Sequence, residues 1–225
     1  MLKSKAIILL MSLIFGLISF SSYAAGFREI SIEGVVAGVW YPTDIPVTNQ
    51  RLGPFDTKMA KDAPIRNGRY ELVLLSHGNS GRYRNHYLTA QVIADAGFIV
   101  MAPQHEADYL IGGNKTAQAL NYRYFELEAV LMGIQKHLDF RDHLFSTPVH
   151  GVGYSLGGAT IMLASGAGFS VKKSEQYCKN NQTDHEFCED PGFFYRITQS
   201  FQHEVTLKPT PDPFRNRALI TGKAI

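Results

Sequence analysis

Cysteine is nearly absent from this chain: Cys178 and Cys188 are the only two, and tryptophan occurs once. So few thiols build neither a disulfide framework for a core nor a four-cysteine zinc site. An excess of one charge is lacking too. The 22 basic and 20 acidic residues leave +2, and two of the lysines, Lys3 and Lys5, lie in an N-terminal stretch with no acidic residue. That balance carries no electrostatic footprint for nucleic acid. The longest apolar run, Ala6 to Phe20, falls short of the ~20 residues that span a bilayer. Repeats and low-complexity tracts are missing as well. What is present, 225 residues with 45% hydrophobic content and 19% charged, suffices for one sizeable core of an ordinary globular domain.

The N-terminus pairs basic Lys3 and Lys5 with the short apolar run and ends in Ser22-Tyr23-Ala24-Ala25. Small residues at minus three and minus one predict a secretory signal over residues 1–24, cut after Ala24. The expectation is a periplasmic or secreted protein with no stable membrane insertion after cleavage. In an exported chain, Cys178 and Cys188 pair most simply as a disulfide that pins a surface loop. A metal alternative would recruit Asp184 and His185, but the spacing fits no common zinc pattern and oxidation would remove both thiolates.

The mature chain, residues 25–225, reads as one α/β domain. Glu29 to Ile32 and Val35 to Tyr41 flank Glu33-Gly34, which predicts an antiparallel hairpin. Thr43 to Arg69, rich in Pro, Gly, Asn and Asp, reads as a long surface connection. Strand and helix then alternate. Leu72 to Leu75 is a buried strand, Tyr87 to Ala96 a helix stopped by Gly97, and Phe98 to Ala102 a strand stopped by Pro103. A helix follows with an apolar stripe of Leu120, Tyr124, Leu127, Leu131, Ile134 and Leu138. Pro148 to Val152 is the next strand and Leu156 to Ala167 the helix behind it. Such alternation implies parallel strands covered by helices on both faces. Residues 170–215 read as an insertion or lid, and Ala218-Leu219-Ile220 as the start of one more strand.

Gly153-Tyr154-Ser155-Leu156-Gly157 sits between strand and helix, the context of a nucleophile elbow. There a serine occupies a strained turn and glycines two positions either side let neighbouring backbone pass. Ser155 is the candidate nucleophile. Ser76-His77-Gly78-Asn79-Ser80-Gly81 follows a strand where such a sheet places its oxyanion loop, and the backbone N–H groups of Asn79 and Leu156 are the candidate donors. His77, Gly78, His105 and Tyr154 are candidates for pocket lining or loop support. His77 precedes the serine, whereas in this architecture the base comes last. Downstream of Ser155 the histidines are His185 and His203 and the aspartates Asp184, Asp190 and Asp212. Each falls in a polar segment rather than at a strand end, so the triad acid and base are expected beyond the chain, which then would be inactive or weak as it stands.

With Val39-Trp40-Tyr41-Pro42, the His77-Gly78 loop, Pro103-Gln104-His105 and the Ser155 elbow in this order, the chain resembles exported bacterial α/β-hydrolases of the predicted dienelactone hydrolase group. More distantly it is similar to platelet-activating-factor acetylhydrolases. The likeness covers roughly Phe27 to Gly168. It implies a sheet with an antiparallel N-terminal hairpin followed by parallel strands, incomplete at the C-terminus. It also implies cofactor-free hydrolysis of a small, short-acyl ester, with Ser155 as nucleophile and Asn79 and Leu156 at the oxyanion positions. Dienelactone hydrolases proper use a cysteine nucleophile, which this chain replaces by serine. The alternative is a non-catalytic, hydrolase-like periplasmic remnant or truncated gene product.

Overall fold

Glu33 and Gly34 both adopt positive φ, 50° and 82°, the turn handedness that matches the twist of paired antiparallel strands. They join β1 (Ala24–Ile32) to β2 (Val35–Thr43), which pair without interruption from Ala24↔Thr43 to Ile32↔Val35. The computed structural model describes residues 24–106, 116–167, 171–183 and 219–223. Residues 1–23 of the expected leader 1–24, most of the 170–215 segment and Cys188 lie outside the described residues, while Ala24 begins β1.

The connection expected over Thr43 to Arg69 is instead a second hairpin, β3 (Thr48–Leu52) and β4 (Phe55–Lys61), turning at Gly53 with φ +63°. β4 docks parallel to β1 through Gly26↔Ala60. Of the hairpin's residues, Thr48 to Lys61, only Leu52, Met59 and Ala60 are buried. Pairing to an existing sheet edge therefore stabilises strands that show almost no apolar alternation.

Beyond the hairpins lie β5 (Tyr70–Ser76), α1 (Tyr87–Asp95), β6 (Ile99–Pro103), α2 (Thr116–Ile134), β7 (Leu144–Gly153), α3 (Leu156–Ala164) and α4 (Val171–Asn180). The strands form one seven-stranded sheet in the order β3-β4-β1-β2-β6-β5-β7. β5 is parallel to both β6 and β7, and β6 is antiparallel to β2. Successive side chains of a strand point to opposite faces, and β5 shows it. Leu72 and Leu74 join Ile99, Met101, Leu127, Val130, Ile134 and Ile161 under α2 and α3, while Val73 and Leu75 join Val100, Ala102, Trp40, Ala90 and Ala94 under α1. Both faces are covered, as a sheet with central parallel strands requires.

Two details differ from the sequence reading. Leu138 lies past the end of α2 and is 74% exposed, and the stripe contains Arg123, which is fully buried. Residues 219–223 run along the free side of β7: Thr221 N–H donates to Val149 O at 2.9 Å and Gly151 N–H to Lys223 O at 2.8 Å. Leu219 and Ile220 are buried in the α2–α3 core.

Candidate active site

β7 delivers the chain to Gly153 and Tyr154, and α3 starts at Leu156. Between them Ser155 has φ 53° and ψ −120°. For a residue with a Cβ this conformation costs of order 1–3 kcal/mol and persists only where surroundings over-determine it. The glycines of the motif supply that determination. A Cβ on Gly157 would sit 2.0 Å from Ser76 O and 2.7 Å from His77 O, and one on Gly153 would sit 2.3 Å from Gly157 O. No other residue lets α3 start so close to the end of β5.

Ser155 is exposed and stands at the N-cap of α3. A serine there ordinarily uses its oxygen to accept a first-turn N–H. Here no such side-chain bond forms. The hydroxyl is left for something outside the helix. Leu156 is the first residue of α3, so its N–H has no acceptor within the helix.

Residues 76–81 lie against the elbow. The Cβ position of Gly78 is 3.5 Å from Ser155 Cβ and 3.2 Å from Tyr154 Cδ1. Ser76, His77 and His105 are fully buried. His77 Nδ1 meets Gly78 O at 2.8 Å and His77 Nε2 meets His105 N–H at 3.1 Å. A carbonyl only accepts and a backbone N–H only donates, so His77 is the neutral tautomer with its proton on Nδ1. His105 Nδ1 contacts Glu126 Oε2 at 2.7 Å and its Nε2 contacts Ser76 Oγ at 2.9 Å. The two rings pack with centroids 4.8 Å apart. A base for Ser155 needs a ring nitrogen directed at its hydroxyl. Those of His77 and His105 are directed into the loop and the sheet end.

Arg123 of α2 completes the support. Its Nη1–H donates to His77 O at 2.6 Å and its Nη2–H to Gly78 O at 3.0 Å. Sequence reasoning missed Arg123 and Glu126. The available signal was a charged residue between Leu120 and Leu127, on the buried stripe of a helix, where an arginine is retained only with partners.

Tyr154 is 64% exposed and packs on His86, ring centroids 5.2 Å apart. Partial burial holds the His86 imidazole below its ordinary pKa. A cavity of about 760 Å³, lined by Arg51, Asp56, Lys58, Tyr87, Leu88 and Gln91 among others, lies across β3, β4 and α1 and includes no elbow residue. Asp184, His185, Asp190, His203 and Asp212 lie outside the described residues. Cys178 stands on α4. Among the described residues no three His, Cys, Asp or Glu side chains converge as a metal cluster, and no helix is long and apolar enough to cross a membrane.

The chain matches no protein-family model and no curated protein. Among solved structures it is similar to a ferulic acid esterase from Streptomyces cinnamoneus, with a TM-score of 0.53 at 15% identity, over 63% of this chain and 55% of that one. A dienelactone hydrolase-like promiscuous phosphotriesterase from metagenomic libraries aligns at a TM-score of 0.42 and 15% identity, over 61% and 52% of the two chains. The chain thus spans about half the length of these neighbours. At such identity the likeness is one of architecture: the mixed seven-stranded sheet with flanking helices is a fold of the α/β-hydrolase type.

Proposed function

We propose that the protein is a serine hydrolase of small carboxylic esters. The observation that carries this reading is Ser155, held at φ 53° and ψ −120° with its hydroxyl unused as a helix cap. Strain of that kind clusters where a fold positions a reacting group. The α/β-hydrolase-type architecture, shared with an esterase, supports the same chemistry.

In this mechanism Ser155 Oγ attacks the ester carbonyl. The tetrahedral oxyanion receives N–H bonds from Asn79 and Leu156, the alcohol leaves as an acyl-enzyme forms, and water releases the acid. The proton of Ser155 passes to neither His77 nor His105, whose nitrogens hold the loop. We assign base and acid to residues outside the described ones. Without them only the fraction of rate due to the oxyanion donors and binding survives, orders of magnitude below an intact triad. Tyr154, exposed beside the serine, supplies an aromatic wall at the mouth. The N-terminal leader supports export, to the periplasm or beyond.

The test is release of p-nitrophenol from p-nitrophenyl acetate by the chain and by Ser155→Ala. Turnover above the buffer rate that disappears with the serine is the expected result. Equal rates for both proteins would refute the assignment.

A further inference from the structure

The carbonyl of Gly78 accepts three donors: Gly81 N–H at 3.0 Å, His77 Nδ1–H at 2.8 Å and Arg123 Nη2–H at 3.0 Å. Two arms therefore converge on one oxygen. Arg123 reaches it directly from α2. Glu126, one helical turn further on, holds the His105 ring, and the His105 N–H in turn fixes His77.

That oxygen belongs to the peptide whose other end is the N–H of Asn79. A peptide is planar and trans, so its carbonyl and its N–H point in opposite directions. Drawing Gly78 O onto a fully buried guanidinium therefore turns Asn79 N–H away from Arg123, in a loop that lies against the elbow, where the Gly78 Cβ position is 3.5 Å from Ser155 Cβ. Hydrogen bonds in series polarise one another, and bonds to an ionised donor are the strong ones. A cation on the carbonyl makes the opposite N–H a better donor to negative charge. Arg123 Nη1–H on His77 O fixes the preceding peptide as well. The fork geometry of arginine, two parallel donors on adjacent carbonyls, is not available to lysine.

Hydrophobic replacement of a buried charge network is often neutral or stabilising, and leucines at 120 and 127 already fill the same stripe. We propose that Arg123 is a positioning residue: it orients and polarises the Gly78–Asn79 peptide so that Asn79 N–H is presented, preorganised, to the oxyanion formed at Ser155. The proposal rests on the ester-hydrolase reading and adds a residue that touches neither substrate nor nucleophile.

Two measurements on the full chain separate the two ideas. The first is the rate of Ser155 modification by an aryl alkylphosphonate, resolved into maximal rate and half-saturating concentration. Arg123→Met lowers the maximal rate about 100-fold, the size of losing one oxyanion donor, and Arg123→Lys lowers it about 10-fold, with half-saturation unchanged within about threefold and the thermal midpoint of Arg123→Lys near that of the parent. The second is the amide proton shift of Asn79 by NMR. It moves upfield in Arg123→Lys relative to the parent, while the amide of Gly97, which follows the C-cap of α1, stays put. A folded Arg123→Lys with an unmoved Asn79 amide and an unchanged maximal rate overturns the proposal. So does a rate loss with an unmoved Asn79 amide, which marks Arg123 as structural only. If the parent itself does not react with the phosphonate, the hydrolase reading fails, and the Asn79 amide still decides the role of Arg123. If Arg123→Met does not fold, Arg123→Lys decides it alone.

Discussion

The two margins of the sheet are built on opposite terms. At the β5–β7 margin the chain concentrates unfavourable items: a serine at φ +53°, a fully buried arginine and two fully buried histidines, and glycines whose Cβ atoms would overlap backbone at 2.0 and 2.3 Å. The β3–β4 margin carries less of this: Asp62, just past β4, is an exposed residue at φ +55°, and the Arg84 side chain against Gly53 has a buried Nε. Thr48, Asn49 and Arg51 are exposed, the turn residue Gly53 is the one positive φ of the hairpin, and Gln91 of α1 ties the strands down through Lys58 O at 2.6 Å and Thr57 Oγ1 at 3.3 Å. The outer hairpin obeys the ordinary rules for a short polar edge. The elbow and the groups packed beneath it break local rules together, and such conflicts persist where a site requires them.

If that contrast is functional, substitutions at the two margins differ in kind. Ser155→Ala lowers kcat/KM for an aryl ester to the level left by the oxyanion donors and binding alone, whereas Gln91→Ala leaves it within a factor of two to three. The next largest effect is on stability. Gly157→Ala meets backbone carbonyls that cannot yield, and urea denaturation should show a loss of about 3 kcal/mol or more. Gly34→Ala at φ +82°, with nothing within 4 Å of its Cβ position, loses about 1 kcal/mol from the backbone alone. Ser155→Gly should gain about 1 kcal/mol by relieving strain while abolishing turnover, a trade absent from the outer hairpin. Smallest is Gln91→Ala itself, at about 0.5–1 kcal/mol for the lost hydrogen bonds.

A pH experiment sharpens the same contrast. Burial pushes the phenols of Tyr41 and Tyr83 up to about 12, and the two lie in the cores on opposite faces of the sheet rather than in the elbow. A folded-state pKa raised above the unfolded value of 10 contributes stability that is complete below pH 10 and is lost as pH rises toward 12. Denaturation midpoints should therefore fall between pH 10 and 12, and Tyr41→Phe should flatten that fall.

Much of this was legible in the sequence because its signals are local. The Glu33-Gly34 turn, the apolar runs of β5 and β6, the stop at Gly97 (φ +97°) and the glycine spacing around Ser155 each act within a few residues. Thr48–Leu52 and Phe55–Lys61 were not legible as strands, since their order comes from the neighbouring edge of β1 and not from their own pattern. The support of the loop was hidden for a related reason. Arg123 lies some 45 residues from the carbonyls it holds in place and Glu126 lies 21 residues from the His105 ring it contacts, and only the folded sheet brings α2 beneath the end of β5. Leu138 misled because helical spacing continues past Ile134 while the helix does not.

The folded elbow presents the Ser155 hydroxyl for reaction. This is tested most directly by treating native and urea-unfolded chain with an aryl alkylphosphonate and mapping adducts by tandem mass spectrometry. A phosphonyl adduct is expected on the native peptide that contains Ser155 and none on the unfolded one. An unmodified native Ser155, or equal modification in both states, would contradict it.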